Sequence, residues 1–224
     1  MNILLFGATG MIGHGVLLEC LRDDGVARVL VIGRQSTGLS HSKLREVVQP
    51  DVTRLASVDD LLAGIDACFF CLGVSSLGMS EEDYTRLTYD LTLEVAGTLV
   101  QGNPSMTFVY VSGTGTDSTA AGRLMWARVK GRTENALLAL PFRAAYMFRP
   151  GFVQPIGGVR SKTAWVQAAY TLTAPLTPLL KRVAPGSIAT SQEMGRAMLA
   201  VAKHGFEKRV LENRDITRAA ANAR

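Results

Sequence analysis

The chain predicts a doubly wound parallel α/β sheet of the dinucleotide-binding kind, and three observations carry that prediction. A short apolar run at residues 3–6 leads straight into Gly7-x-x-Gly10-x-x-Gly13, and a helical pattern follows through Val16, Leu17, Cys20 and Leu21. Strand-like and helix-like segments then alternate through the first 150 residues. The inner strands, such as 106–112, are apolar on both faces, as strands covered by helices on either side must be.

The glycine turn comes first. Gly7 permits a tight turn off the strand. Gly10 lets the backbone approach a pyrophosphate. Gly13 lets the following helix pack closely on the sheet. The backbone of Thr9, Met11 and Ile12 lies in the same turn, so its N–H groups and the positive helix end face a phosphate. Strands are expected at 2–6, 28–32, 45–49, 66–72, 106–112 and 144–149, and helices at 11–22, 57–63, 81–101 and 122–139. The helix at 81–101 has the clearest periodicity, an N-cap signal in Ser80 with Asp83, and a stop at Gly102-Asn103-Pro104.

After Pro150 the texture changes. Residues 151–162 read as a Gly/Pro/polar loop, 163–180 carry no charge, 190–204 read as a surface helix and 205–224 as a polar tail. The expectation is one dinucleotide-binding domain over 1–224, with a core at 1–150 and a small substrate-side lobe at 151–224.

Composition narrows the class. Of 224 residues, 47% are hydrophobic and 19% charged, which suits a soluble globular protein. The net charge of +5 is uneven: residues 1–150 carry 13 Lys/Arg against 15 Asp/Glu, and 151–224 carry 11 against 4. The basic charges are dispersed and lack an aromatic stacking pattern, so they read as a solvated face rather than a nucleic-acid surface. Three cysteines give no disulfide framework and no basic leader precedes the first strand, so a cytoplasmic protein is expected. Cys68-x-x-Cys71 falls in an apparent buried strand, where residues three apart face opposite ways, and three scattered histidines offer no metal set.

Candidate site residues cluster at strand ends. Arg34 follows the second strand, where an acid would suit NAD and an arginine suits the 2′-phosphate of NADP, so NADP(H) is expected over NAD(H). Asp51 and Val52 follow the third strand; Asp51 reads as an acceptor for the adenine amino group or as a turn aspartate. Gly73 follows the fourth strand and Ser112 ends the fifth. Trp126 and Lys130 share one helix face at i, i+4.

Taken together, the glycine turn, Asp51, Cys71-Leu72-Gly73, Ser112, Val129-Lys130-Gly131 with Glu134, and Phe148-Arg149-Pro150-Gly151 resemble the short-chain dehydrogenase/reductase superfamily, atypical or extended type. The likeness is to its Tat-interacting-protein and NmrA-like NAD(P)H-binding branches, over roughly residues 1–200. The resemblance implies a serine, a tyrosine and a lysine at the active site. The serine maps to Ser112, the lysine to Lys130, and the tyrosine position holds Trp126. An indole N–H donates a hydrogen bond but does not act as an acid near neutral pH. Two functions are therefore expected side by side. One is a reductase or epimerase-like enzyme acting on a small carbonyl compound with impaired acid catalysis, for which Tyr84, Tyr89 or Tyr110 could stand in. The other is a non-catalytic NADP(H) sensor that binds a protein partner. The uncharged stretch 163–180, flanked by Arg160, Lys162, Lys181 and Arg182, is expected to cover the pocket. It is also expected to contact a second subunit, an acidic partner or a membrane surface peripherally.

Overall fold

The computed structural model describes residues 1–154 and 188–222. It begins with β1 (Asn2–Phe6), α1 (Met11–Arg22), β2 (Arg28–Gly33) and β3 (Leu44–Val48). A 3₁₀ turn (Leu55–Val58) leads into a short α2 (Asp59–Leu62) and then β4 (Ala67–Phe70). Next come α3 (Glu81–Thr85), α4 (Leu91–Gly102), β5 (Thr107–Val111), α5 (Met125–Ala139) and β6 (Ala144–Arg149). The C-terminal part contributes β7 (Phe152–Gln154), β8 (Ile188–Thr190), α6 (Ser191–His204), β9 (Val210–Glu212) and α7 (Asn213–Ala221).

Seven parallel strands form one sheet in the order β3-β2-β1-β4-β5-β6-β9, and β7 and β8 pair separately. This is the α/β Rossmann architecture. The chain runs outward from β1 to β3, then crosses back to place β4 on the other side of β1. Ligands bind at such a reversal, beyond the carboxyl ends of the strands.

Strand alternation divides the core. Ile3, Leu5, Val29, Val31, Phe69 and Val109 face α1, α6 and α7. Leu4, Phe6, Leu30, Ile32, Phe70 and Phe108 face the side of α4 and α5. Both faces of β1 and β5 are buried, which explains their unbroken apolar sequence.

The C-terminal part departs from expectation. Residues 205–224 do not simply trail off: Val210–Glu212 adds the seventh strand beside β6, and Asn213–Ala221 is helical. The three-residue strand is too short to leave a periodic signal. Phe152–Gln154 is a strand inside the expected loop. The expected surface helix has most of its residues buried, because it lies against α1 and α7. Its capping box, Thr190 with Glu193, fixes where it starts. Gly15 and Gly195 permit that approach: a Cβ on Gly15 would stand 2.4 Å from the Ser191 Cβ, and one on Gly195 3.0 Å from the Val16 Cα.

The helix expected at 81–101 is interrupted by a π turn, Arg86–Asp90, between α3 and α4. Its Ser80 cap is present, with the hydroxyl accepting the Asp83 N–H at 3.1 Å. The expected cover at 163–180 lies outside the described residues. Among the described residues, no helix is long and apolar enough to cross a membrane.

Packing around α5 gives a direct test. A Cβ on Gly131 would sit 1.7 Å from the Asp117 carbonyl oxygen, whereas one on Gly97 in α4 meets nothing within 4 Å. In urea denaturation, Gly131→Ala should cost about 1–3 kcal/mol through overpacking. Gly97→Ala should be neutral or stabilise by roughly 0.5–1 kcal/mol through helix propensity. Equal effects would contradict the placement of the 113–121 loop against α5.

Candidate functional site

The glycine turn forms where β1 meets α1. Gly7 has φ +80°, and a Cβ there would lie 2.7 Å from the Cys71 carbonyl carbon and oxygen. The turn therefore presses against the exit of β4. The Gly7 carbonyl accepts the Gly10 N–H at 2.9 Å. A Cβ on Gly13 would come within 2.1 Å of that carbonyl oxygen. Gly10 is the N-cap of α1 and has no side chain to cap the helix, so no side-chain cap covers the first-turn amides. That geometry attracts an anion.

A cavity of about 550 Å³ opens beside this turn. Six of the expected residues line it: Gly7, Thr9, Arg34, Asp51, Val52 and Gly73. Gly10, Met11, Ile12 and Gly13 are outside its lining, in the turn and the first turn of α1. Val31, Leu72, Val74, Leu87 and Leu91 add an apolar wall. Leu87 and Leu91 come from the π turn and the start of α4, so the irregular turn contributes to the cavity. Among the described residues the exposed Arg34 makes no ion pair, and it stands at the cavity wall. Asp51 Oδ1 accepts the Thr53 N–H at 3.0 Å and the Thr53 hydroxyl at 2.9 Å, which holds its carboxyl below the usual range. The aspartate thus organises a turn while it lines the cavity.

Ser112, Trp126 and Lys130 gather at the end of β5, two strands from β1. The Lys130 ammonium donates to the Ser112 carbonyl at 2.5 Å. Burial pulls the lysine down to about 8, while the charge of Glu134 acts in the opposite sense. Trp126 is half-buried, and its ring edge closes on Gly115, where a Cβ would stand 3.2 Å from Cη2.

The Ser112 hydroxyl is buried and donates to Glu134 Oε1 at 2.5 Å, with the Phe148 carbonyl at 3.1 Å. It belongs to an internal network, and neither Ser112 nor Trp126 nor Lys130 is among the residues that line the cavity. Glu134 pairs with Arg149, whose Nε lies 3.0 and 3.1 Å from the two carboxylate oxygens. Arg149 reaches on to Ser118 at 2.6 Å and to Glu212 at 3.2 Å. One guanidinium thereby ties β6 to α5, to the loop after β5 and to β9. These contacts raise its already high pKa further.

Sequence reasoning did not give this pair a site role. The readable signal was an acid one helical turn beyond Lys130 and an arginine closing an apolar strand, since a buried charge must be paired. It also passed over Thr114, which is exposed two residues beyond Ser112. The Thr114 hydroxyl donates to the Arg149 carbonyl at 3.2 Å. Asp117 was passed over as well. Its carboxylate accepts N–H groups from Thr119, Ala121 and Gly122, which shapes the loop.

The three tyrosines considered as substitutes for the missing acid are placed elsewhere. Tyr84 and Tyr110 are buried, and burial raises both phenols. Tyr89 lies under the Arg132 guanidinium at 5.0 Å. The cysteines are free thiols, and burial pushes Cys68 up and Cys71 to about 12. Such thiols are poor nucleophiles and poor metal ligands near neutrality.

Comparison with known proteins agrees with this geometry. Residues 3–121 match the NAD dependent epimerase/dehydratase family. A protein named fmp52, mitochondrial, from Emericella nidulans is 30% identical over 159 residues, which span 68% of this chain and 66% of that protein. Protein HTATIP2 of Rattus norvegicus is 26% identical over 67% of this chain and 62% of its own length. Among solved structures, MoeE5 in complex with UDP-glucose and NAD superposes with a TM-score of 0.67 at 20% identity, covering 95% of this chain and 75% of that one. A short chain dehydrogenase family protein from Francisella tularensis gives 0.67 at 15% identity, covering 97% and 98%. At these identities the structural matches speak for the fold.

The relatives also correct the expected cytoplasmic location, because the fungal proteins are named mitochondrial.

The buried pair has a measurable cost of removal. Glu134→Ala should lower the unfolding free energy by about 3–5 kcal/mol, because it leaves a buried guanidinium without its main partner. Glu212→Ala, which removes the exposed partner, should cost about 0–1 kcal/mol. Similar small losses in urea denaturation would contradict the assigned role of Glu134.

Proposed function

The chain belongs to the NAD dependent epimerase/dehydratase family, and we propose that it binds NADP(H) and reduces a small carbonyl compound at the end of β5. The cavity at the sheet reversal carries this reading, because it joins the glycine turn, an apolar wall and an exposed arginine. The pyrophosphate would rest on the amides at the start of α1, where the small residues Gly7 and Gly13 keep the backbone open to it. Arg34 would take the 2′-phosphate through charge-assisted hydrogen bonds, and Asp51 and Val52 would border the adenine. Lys130 lies roughly 10 Å farther along the strand ends, two strand spacings from β1. It would hold the nicotinamide ribose there.

When bound, the reduced nicotinamide supplies a hydride to the carbonyl carbon. The chain contributes orientation. The exposed Thr114 hydroxyl is better disposed to meet a substrate oxygen than the Ser112 hydroxyl, which Glu134 occupies. Trp126 offers a flat apolar wall and one N–H. The same Trp126 favours a second reading, a dinucleotide sensor that passes its occupancy to a protein partner, because the residue is no acid.

Titration calorimetry with NADPH and NADH tests the cofactor assignment. NADPH should bind at least about tenfold more tightly, and Arg34→Ala should remove most of that advantage, as loss of a phosphate–arginine contact of roughly 1–3 kcal/mol requires. Equal affinities in the wild type would overturn the NADP(H) assignment. Tight NADPH binding with no consumption in the presence of any carbonyl compound would favour the sensor.

A further inference from the structure

Carbonyl reduction, the reading on which this inference rests, requires a proton at the substrate oxygen. The residue at the expected acid position, Trp126, does not supply one. The four tyrosines among the described residues are all engaged elsewhere. Tyr84 and Tyr110 are sealed in the core, Tyr89 lies beneath Arg132, and the Tyr146 hydroxyl accepts the Phe206 N–H at 3.0 Å.

Lys130 stands one helical turn beyond Trp126 on the same face of α5. Its ammonium is fixed at the end of β5 by the Ser112 carbonyl, 2.5 Å away, and lies 3.9 Å from where a Gly113 Cβ would be. That carbonyl orients the group without taking its charge, and an ammonium has two further N–H donors.

We propose that the Lys130 ammonium is itself the proton donor to the carbonyl oxygen, in direct replacement of the missing phenol. A hydride from the reduced nicotinamide dinucleotide forms the new C–H bond. The π electron pair of the carbonyl moves to oxygen, and that oxygen takes a proton from Lys130 Nζ. The alcohol and the oxidised dinucleotide leave. Water then returns a proton to the neutral amine, so each turnover consumes one proton from solvent.

The surroundings suit this role. Glu134 on the same helix raises the proton affinity of Lys130, but its carboxylate is chelated by Arg149 from β6. Asp117 in the adjoining loop is turned onto backbone amides, and Glu81 of α3 is taken by Arg128 at 2.6 Å. Burial therefore prevails and brings the lysine to about 8, against 10.5 for a free one. An ammonium poised there both gives and regains a proton near neutrality, which one at 10.5 does far less readily.

Two measurements test this. Competitive acylation of the full chain by acetic anhydride, read by mass spectrometry across pH, titrates Lys130 without any turnover. Its reactivity should reach half-maximum near pH 8, and a midpoint above pH 10 would overturn the proposal. NADPH-dependent reduction of diacetyl should lose rate as pH rises through the same midpoint, because the donor form is the protonated one. Lys130→Arg keeps the charge but gives up no proton. It should retain NADPH binding within about threefold and lose kcat by about 100-fold or more. Tyr89→Phe, which tests the half-buried rival phenol under Arg132, should leave the rate unchanged. A rate that survives Lys130→Arg would overturn the donor role alone. NADPH bound with no carbonyl turned over in the wild type would overturn the reductase reading and the donor role together.

Discussion

The carbonyl oxygen of Gly7 fixes the geometry on which the cavity depends. It accepts the Gly10 N–H at 2.9 Å and leaves 2.1 Å for any Cβ on Gly13, so only a hydrogen fits there. That contact sets the start of α1 hard against the end of β1. On its other side the same glycine presses on the Cys71 carbonyl, where β4 exits. The two neighbouring strands therefore end together around an uncapped helix N-terminus. The cavity, its apolar wall and the reach of Arg34 follow from that arrangement. A side chain at either glycine would separate helix from strand, and the anion-binding end of α1 would lose its aim.

A second constraint operates two strands away. The Glu134–Arg149 pair is almost wholly buried, and desolvation makes such a pair weak evidence for net stability. Its value here is positional. Glu134 holds the Ser112 hydroxyl, and Arg149 holds Ser118 and Glu212. Lys130 then finds the Ser112 carbonyl in a fixed place. The end of β5 is thus held by hydrogen bonds where the proposed carbonyl would have to be oriented, and held geometry of that kind is what makes proximity effective.

Much of this was legible from the residues. The glycine spacing, the apolar runs and the Ser80 cap gave the strand and helix order through residue 149, because each element there leaves a local signal. Arg34, Asp51 and Gly73 were legible as neighbours of one cavity because strand ends in such a sheet converge at the reversal. Of the C-terminal elements, the helix Ser191–His204 was legible, but its burial and the strand and helix after it were not. Val210–Glu212 is too short for periodicity, and α6 looks amphipathic although α1 and α7 cover it. Its burial depends on Gly15 meeting Ser191 across the interface, a long-range fit that no local window contains. The fate of the Ser112 hydroxyl was hidden for the same reason, since Glu134 and Arg149 lie 22 and 37 positions further on in the chain.

On the proposed reading, one dinucleotide runs along the strand ends from the glycine turn to Lys130. A titration of isotope-labelled protein with NADPH, followed by amide resonances, tests it most directly. The largest shifts should fall at Gly7, Thr9, Gly10 and Gly13, with accompanying shifts at Gly73, Gly113 and Lys130. Binding that leaves the glycine turn unmoved, or that perturbs chiefly the separate groove between α6 and α7 around Arg196 and Thr217, would contradict it.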